Sequence, residues 1–352
     1  MPRTEPTSAE RMQGRVARAL GRLPPRLQLR LSGRPQVEVE GQRLDPCLQL
    51  FLTLGRGRAR HGLCEPDPAS ARERFRREAL IFCGPKTRVG RARDLEIRGD
   101  FPTLRARHYA PTTKSEDLLV YLHGGGFVIG DLETHDEPCR LLCAHARTHV
   151  LSVEYRLAPE HPFPDGVRDA VRALRWAQLN AEQFGAHPSK VSVGGDSAGG
   201  NLAAVAAQLS KENRPPAAQL LIYPATDGAP EERASKRLFG SGYFLARTDC
   251  DAFFKLYTDG TGARVDDPRL SPLRARDLSG LAPALVATAG FDYLRDEGDA
   301  YAQRLEDEGV RVVWRRFPSL THGFVNMTGI CPAARAALTD IARDWRALLQ
   351  RE

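Results

Sequence analysis

Residues 191–203 read VSVGGDSAGGNLA, which predicts a short β-branched strand, a tight glycine-rich turn and the start of a small-residue helix. Gly195, Ser197 and Gly199 form G-x-S-x-G, the spacing that puts a serine on a sharp strand-to-helix turn with its hydroxyl exposed. The pattern alone is equally compatible with a strand–helix connection that carries no chemistry. A catalytic serine therefore requires a base, an orienting acid and an oxyanion site elsewhere in the chain.

Buried strands alternate with helices along most of the chain. Continuous apolar runs, typical of strands covered on both faces, occur in LLVYLH, HVLSVEY, VSVGG, QLLIYP, ALVATAG and RVVWRRF. Helical segments separate most of these runs, at 166–182, 198–212, 296–308 and 333–350. Ahead of them, LEIRG and LRARHYAP alternate apolar and polar residues, as an antiparallel pair at a sheet edge does. The pattern predicts an α/β fold with a mostly parallel central sheet flanked by helices.

Two stretches break this alternation and are expected to cover the sheet. Residues 1–85 contain helix signals before any strong strand, including helix starts at Asp45 and Asp67 that are each followed by proline. Residues 226–277 resemble helices and loops inserted between two strands, at the end of the sheet where α/β proteins bind ligands. We therefore expect a helical cap segment at 1–85 and a catalytic domain at 86–352, with 226–277 as a second cap segment.

The charge and hydropathy of the 352 residues are typical of a soluble globular protein. The formal net charge is +7, but acidic and basic residues are interleaved almost everywhere, which argues against a nucleic-acid-binding protein. There is no long apolar run and no secretory signal, so we expect a cytoplasmic protein without stable membrane insertion. An Arg-rich amphipathic helix at 8–23 could lie on a membrane or act as a transit peptide, but Glu5 and Glu10 favour packing on its own domain.

Cysteine and glycine patterns give no sign of a metal or a nucleotide. Seven cysteines are scattered without a C-x-x-C pair, which predicts neither a disulfide framework nor a zinc site. Cys139 and Cys143 share one face of an expected helix and are interpreted as packing residues. The glycine-rich segments HGGGFVIG and GGDSAGGN lack the Lys-Ser/Thr ending of a P-loop, and neither matches the dinucleotide-binding pattern G-x-G-x-x-G. No metal and no cofactor are therefore expected.

The segment HGGGFVIG begins at His123, at the end of the predicted strand LLVYLH. Three consecutive glycines at a strand end leave backbone N–H groups uncovered and able to approach a ligand closely. Such donors suit the oxyanion of an acyl-transfer intermediate, where the loss of one donor costs about 3 kcal/mol of transition-state stabilisation. The alternative is a turn that needs glycine for steric reasons only. A second glycine-rich strand end with an exposed serine favours the oxyanion interpretation.

Two further residues at strand ends complete the predicted chemistry. His322, in SLTHGFVN, follows the last predicted strand and is expected above the sheet near Ser197. Asp292 comes immediately after the strand ALVATAG and faces the same rim, whereas Asp296 and Glu297 are expected to begin the next helix. The chain order serine, aspartate, histidine is that of α/β-hydrolases.

Several motifs between Asp117 and Gly323 can be matched to one family: HGGGFVIGDLETHD, EYRLAPEHPFPD, GGDSAGGN, the SPL at 271, DYLRDEG and HGF. With them the chain resembles the hormone-sensitive-lipase-like family of α/β-hydrolase esterases, the bacterial family IV with the HGGG motif. Tyr293 departs from the proline that is usual there, but this removes no catalytic group. The resemblance implies a triad of Ser197, Asp292 and His322 and an oxyanion hole of Gly125, Gly126 and Ala198.

The resemblance also implies how the site is covered and used. A two-part lid would shape the acyl and alcohol pockets, with these candidate substrate-binding residues: Gly124, Phe127, Tyr243, Phe244 and Phe324. For the four aromatic residues, ordinary core packing is an equal alternative. The implied activity is hydrolysis of a small-molecule ester with a short to medium acyl chain. The alternatives are an amidase or deacetylase on the same triad and a non-catalytic small-ligand receptor. Pairing through the edge strand RVVWRRF would give a homodimer.

Overall fold

An eight-stranded sheet forms the centre of the computed structural model, which describes residues 7–55, 63–64, 67–99, 102–229 and 231–350. The strands, including those of a small separate hairpin, are β1 Glu38–Val39, β2 Gln42–Arg43, β3 Arg91–Ile97, β4 Leu104–Ala110, β5 Leu118–Leu122, β6 His149–Glu154, β7 Val191–Asp196, β8 Gln219–Ile222, β9 Ala284–Phe291 and β10 Val312–Thr321. The sheet order is β10-β9-β8-β7-β5-β6-β4-β3. Strands β5 to β10 run parallel, and β3 and β4 form an antiparallel pair beside β6. All eight expected strands and the mostly parallel sheet are confirmed. The expectation that RVVWRRF is covered on both faces is wrong, because β10 is an edge strand with Trp314, Arg315 and Arg316 exposed.

The described part of the chain contains α1 Ser8–Gly21, α2 Pro25–Ser32, α3 Pro46–Gly55, α4 Pro68–Phe82, α5 Asp136–Ala146, α6 Asp165–Leu179, α7 Ala198–Ser210, α8 Ala234–Phe239, α9 Arg247–Thr258, α10 Arg295–Asp307 and α11 Pro332–Leu349. The two predicted helix starts are confirmed. Asp45 Oδ1 accepts from the amides of Cys47 at 2.9 Å and Leu48 at 3.3 Å, and Asp67 caps α4 in the same way. These caps satisfy first-turn amides that have no partner within the helix.

The sheet separates two hydrophobic cores. Along β5, Leu118, Val120 and Leu122 enter the core that contains α6, α7 and α10, while Leu119 and Tyr121 enter the core that contains α5 and α11. This division follows from the two-residue period of a strand, which turns successive side chains to opposite faces. Because both faces are covered, all five residues are buried, as their continuous apolar run predicts.

The N-terminal segment differs from its helical expectation at the hairpin of β1 and β2. Glu40 and Gly41 link the two strands with φ values of 52° and 73°, the left-handed conformation that a two-residue hairpin turn requires. Helix α3 follows and enters the core with Cys47 and Leu48. Of the predicted cap segments, residues 1–6, 56–62, 65–66 and 230 lie outside the described residues.

The carboxyl ends of the parallel strands bring three predicted site residues to one edge of the sheet. Ser197 directly follows β7, Asp292 directly follows β9 and His322 directly follows β10. Parallel strands end at the same edge, and this edge is where open α/β sheets bind ligands. Helices α8 and α9 lie between β8 and β9 in the chain, within the predicted insertion 226–277.

Candidate active site

The turn between β7 and α7 holds Ser197 at φ 54° and ψ −119°, a backbone conformation that is rare outside glycine. The Ser197 amide donates to the Ile222 carbonyl at 2.9 Å and so fixes the turn against β8. A Cβ on Gly199 would overlap the Leu122 carbonyl, so this position has room for glycine only. Strain of about 1–3 kcal/mol persists at such a residue only where the surroundings hold it. Here the turn presents Ser197 to a cavity.

A chain of two hydrogen bonds joins the three catalytic candidates. His322 Nε2 lies 2.9 Å from Ser197 Oγ, and His322 Nδ1 lies 2.8 Å from Asp292 Oδ2. Asp292 is buried, and its other oxygen accepts the Leu294 amide at 2.9 Å. Because a carboxylate can only accept, Nδ1 carries the proton and Nε2 is left to accept from the serine hydroxyl. The structure thus brings the three residues together in the geometry needed for general-base activation of a serine.

The glycine loop after β5 places backbone amides beside Ser197. Gly125 and Gly126 adopt φ values of 124° and 60°, and a Cβ on Gly126 would overlap the Phe253 ring. Among the residues that the structure describes, the amides of Gly125, Gly126 and Ala198 have no hydrogen-bond acceptor. All three residues line the same cavity as Ser197. Uncovered donors next to a serine nucleophile are what a developing oxyanion requires.

Asp196, one residue before Ser197, is a buried carboxylate that sequence reasoning missed. Its Oδ1 accepts from the Tyr121 hydroxyl at 2.8 Å and the Gly124 amide at 3.0 Å. The Tyr223 hydroxyl donates to Oδ2 at 3.3 Å, and His135 Nε2 lies 3.2 Å from Oδ1. Burial alone would raise the pKa of Asp196, but the attraction of His135 and the hydrogen bonds hold this pKa below its usual value. Asp196 therefore links the turn that holds Ser197 to the glycine loop through the hydrogen bond that it accepts from the Gly124 amide.

A cavity of about 680 Å³ lies beside Ser197. Two of the predicted aromatic pocket residues, Phe127 and Phe244, line it together with Gly124. The Phe127 ring stacks on Tyr257 with centroids 4.0 Å apart, which fixes its orientation at the cavity wall. The cavity beside Ser197 therefore has aromatic groups on its wall, and their role in substrate binding stays a prediction.

Two other predicted pocket residues lie elsewhere. Phe324 is fully buried and packs edge-on against Tyr223, with ring centroids 5.0 Å apart. Tyr243 packs edge-on against Phe239 at 5.2 Å. Neither Phe324 nor Tyr243 is among the residues that line the cavity, so the core-packing alternative fits the structure for this pair.

Charged groups form one wall of the cavity. Glu297 Oε1 accepts from the amides of Thr226 at 2.9 Å and Asp227 at 3.2 Å, and Lys236 Nζ lies 3.2 Å from Oε2. Burial raises the pKa of Glu297. Glu297 belongs to the first turn of α10, as predicted, but it also holds the segment after β8 in place. The cavity therefore combines aromatic and ionic surfaces.

Asp196→Asn is expected to lower kcat for p-nitrophenyl butyrate by about 10- to 100-fold, because the neutral amide oxygen accepts the Gly124 amide more weakly than a carboxylate and the amide nitrogen cannot accept from the Tyr223 hydroxyl. The free energy of unfolding should fall by about 1–3 kcal/mol. Asp299→Asn is the matched control, since Asp299 is a buried carboxylate that accepts from Thr288 and Trp314 and does not line the cavity. It should lower stability and leave kcat unchanged. A wild-type kcat in Asp196→Asn would show that the glycine loop does not depend on this carboxylate.

One group of potential metal ligands lies at the junction of α3 and α11. Single ligand atoms of Asp45, Cys47 and Cys331 come within 4.8 Å of one another. Each thiol has a hydrogen-bond acceptor in the protein: Cys47 Sγ donates to the Ile330 carbonyl at 3.2 Å and Cys331 Sγ to Asp45 Oδ1 at 3.6 Å. The cluster is therefore accounted for by protein contacts, and the expectation that no metal or cofactor is needed stays a prediction.

A family described as alpha/beta hydrolase fold matches residues 119–326, more than half of the chain. The chain belongs to this α/β-hydrolase family. The matched α/β-hydrolase region runs from β5 to the short helical turn after β10, and it includes Ser197, Asp292 and His322. The fold class expected from the sequence is thereby confirmed.

Two relatives and one solved structure illustrate the similarity. The chain is 44% identical over 330 residues to the carboxylic ester hydrolase LipN of Mycobacterium tuberculosis, covering 91% of this chain and 87% of LipN. It is 38% identical over 307 residues to the ethyl acetate hydrolase of Pseudomonas putida, covering 84% of this chain and 96% of that hydrolase. The structure of the hyperthermophilic esterase of the archaeon Pyrobaculum calidifontis matches with a TM-score of 0.81 at 38% identity. The match covers 86% of this chain and 98% of that esterase. The family match and these esterase relatives confirm the resemblance to hormone-sensitive-lipase-like esterases.

Proposed function

We propose that this chain is a serine carboxylesterase that cleaves small carboxylic esters through an acyl-enzyme intermediate. The observation that carries the proposal is the hydrogen-bonded chain from Ser197 through His322 to Asp292. Relatives named as ester hydrolases, at 38% and 44% identity, support the same reaction. A non-catalytic receptor on this scaffold would have no need of a base 2.9 Å from the serine hydroxyl.

Acylation begins with attack of Ser197 Oγ on the ester carbonyl carbon. His322 Nε2 takes the hydroxyl proton, and the amides of the glycine loop and of Ala198 donate to the oxyanion. Asp292 holds the proton on Nδ1 and stabilises the imidazolium that forms. His322 then gives its proton to the departing alkoxide, so an alcohol leaves and the acyl group remains on Ser197.

Deacylation repeats these steps with water. His322 Nε2 takes a proton from water, and the hydroxide attacks the acyl carbon of the ester bond to Ser197. The same backbone amides hold the second oxyanion. Return of the proton from His322 to Ser197 Oγ breaks the acyl bond, and the carboxylic acid leaves. Each cycle therefore consumes one water and restores the serine.

The proposed function includes a cap over the site. Residues 1–85 and 226–277 would form its two parts over a catalytic domain at 86–352. Among the described residues of the first part, Leu63 and Phe75 line the cavity. The second part contributes a larger share of the wall, including Arg233, Lys236, Phe244, Leu245 and Phe253. Because these side chains surround the space next to the serine, they would select the acyl and alcohol groups.

Turnover is expected to be fastest on esters with acyl chains shorter than about eight carbons. Each further methylene gains about 0.8 kcal/mol only where apolar surface buries it, and the ion pair of Glu297 with Lys236 occupies part of the cavity wall. The measurement is kcat/KM over p-nitrophenyl acetate, butyrate, octanoate and laurate. Faster turnover on laurate than on butyrate would contradict the expected pocket.

A matched ester and amide test the reaction class. We expect rapid hydrolysis of p-nitrophenyl butyrate and much slower hydrolysis of butyric acid p-nitroanilide, which offers the same acyl group. Comparable kcat/KM values for the two substrates would favour the amidase or deacetylase alternative. The homodimer, the absence of a nucleic-acid partner and the cytoplasmic location stay predictions.

A further inference from the structure

Most of the net positive charge of the chain lies in its first two helices. Residues 8–36 contain seven arginines and one acidic residue, Glu10, which gives a net charge of +6 against +7 for the whole chain. The remainder of the chain is therefore close to neutral. The arginines recur one helical turn apart along α1 and α2, at Arg11, Arg15, Arg18, Arg22, Arg26 and Arg30.

These arginines differ from many arginines elsewhere in the fold in having no carboxylate partner among the described residues. Arg107, Arg156 and Arg274 pair with carboxylates at distances between 2.5 and 2.8 Å. The arginines at 8–36 form no ion pair with any residue that the structure describes, and all but the half-buried Arg18 are exposed. A cluster of like charges repels itself, and an external anionic surface would relieve that repulsion.

Exposed apolar side chains lie between the arginines. Met12 and Val16, one turn apart on α1, are 58% and 53% exposed, and Leu27 and Leu31 on α2 are 45% and 54% exposed. On α1 the buried side consists of small residues, Gly14, Ala17 and Gly21. With 100° per residue, Met12 and Val16 lie on the side opposite these small residues. The helix therefore packs on its domain, as predicted, and also presents an apolar stripe to solvent.

We propose that the basic helix pair, defined as residues 8–36, docks peripherally on the surface of a bilayer that contains anionic phospholipids. Arginine side chains pair with lipid phosphates while their stems and the exposed Met, Val and Leu side chains enter the headgroup boundary. Within the described residues, no helix has the length and apolar character needed to cross a bilayer. The proposed attachment is therefore to the surface.

The chemistry of the basic helix pair favours lipid over nucleic acid or a second copy. Residues 8–36 contain no aromatic side chain that could stack on a base. Aliphatic side chains beside arginines have an apolar partner in a bilayer, whereas a phosphodiester backbone offers them none. A net charge of +6 on each face opposes pairing of two copies through this surface.

The basic helix pair is connected to the cavity through α4. A Cβ on Gly14 would lie 3.2 Å from the Ile81 carbonyl, so α1 packs directly on α4. The same helix carries Phe75 to the cavity wall. Docking would thus hold the cap segment near a bilayer in which apolar esters dissolve. This inference goes beyond the proposed function and does not depend on it, because binding to a bilayer requires no catalysis.

The test is co-sedimentation of the full chain with vesicles at about 0.15 M salt. Vesicles of phosphatidylcholine containing about one third phosphatidylglycerol should bind the chain, and pure phosphatidylcholine vesicles should not. Arg11→Gln/Arg15→Gln/Arg22→Gln should weaken binding by about 100-fold, or about fivefold per arginine. Leu27→Ser/Leu31→Ser should weaken binding without a change of charge. Hydrolysis of soluble p-nitrophenyl butyrate and the circular dichroism spectrum should match the wild type in both variants.

The matched control removes three positive charges elsewhere. Lys114→Gln/Arg175→Gln/Arg214→Gln changes exposed residues outside the basic helix pair and gives the same net charge as the arginine variant. It should retain vesicle binding. Equal loss of binding in the two triple variants would overturn the proposal, as would no binding of the wild type to anionic vesicles. Tighter binding to a DNA duplex than to anionic vesicles would overturn it as well.

Discussion

Replacing Ser197 with alanine is expected to lower kcat for p-nitrophenyl butyrate by about a million-fold and to leave the fold intact. The variant removes the oxygen that lies 2.9 Å from His322 Nε2 and that would carry the acyl group. The change deletes one oxygen at the cavity and no apolar contact, so the unfolding temperature should stay close to that of the wild type. Steady-state kinetics and thermal unfolding of purified protein measure both effects.

A second serine at the cavity supplies the control. Ser241 also lines the cavity but takes no part in the hydrogen bonds that join Ser197, His322 and Asp292. Ser241→Ala should therefore have the wild-type kcat. If Ser197→Ala retained a kcat within tenfold of the wild type, Ser197 could not be the nucleophile.

Replacing Asp292 with asparagine is expected to lower kcat by about ten-thousand-fold. Asp292 Oδ2 accepts from His322 Nδ1 at 2.8 Å and so keeps the proton on that nitrogen. An asparagine amide would donate to Nδ1 and move the proton to Nε2, where it blocks transfer from Ser197. The structure should persist, because the side chain keeps its size. The measurement is kcat for p-nitrophenyl butyrate together with thermal unfolding.

An acidic residue outside the hydrogen-bonded chain tests whether charge alone matters. Asp251 lines the cavity and is exposed, with Arg247 at 3.6 Å, so Asp251→Asn removes one negative charge near the site without touching His322. Its kcat should remain near the wild-type value. Equal losses in the two variants would assign the effect to the cavity charge rather than to the orientation of His322.

The sheet and the three catalytic candidates could be predicted because their signals are local. Ser197 and Asp292 each directly follow a buried strand that reads as an apolar run, and His322 directly follows the edge strand β10. Since parallel strands end at a common edge, position in the chain relative to a strand was enough to place these side chains together. Three distant residues were found without knowledge of their contacts.

The role of Asp196 could not be read in the same way. Its partners Tyr121, Gly124, His135 and Tyr223 are distant from it in the chain, and the hydrogen bond to Tyr121 spans 75 residues. The only local signal was an acid inside G-D-S-A-G, and a strand pattern does not say which groups meet behind the turn. Side-chain networks of this kind depend on packing between elements.

The aromatic residues show a second limit of local signals. Phe244 lines the cavity and Tyr243, its neighbour, does not, although both are aromatic and lie in the same loop. Phe324, two residues after His322, is fully buried. Nearness to a catalytic residue in sequence does not fix which way a side chain turns outside a regular helix or strand.

Covalent labelling tests the central claim, that Ser197 carries the acyl group, most directly. The wild type and Ser197→Ala are treated with diethyl p-nitrophenyl phosphate, which phosphorylates activated serines, and are then analysed by intact mass and peptide mapping. We expect one diethylphosphoryl group per chain, on Ser197, and none on the variant. Labelling of another residue, or equal labelling of the variant, would contradict the claim.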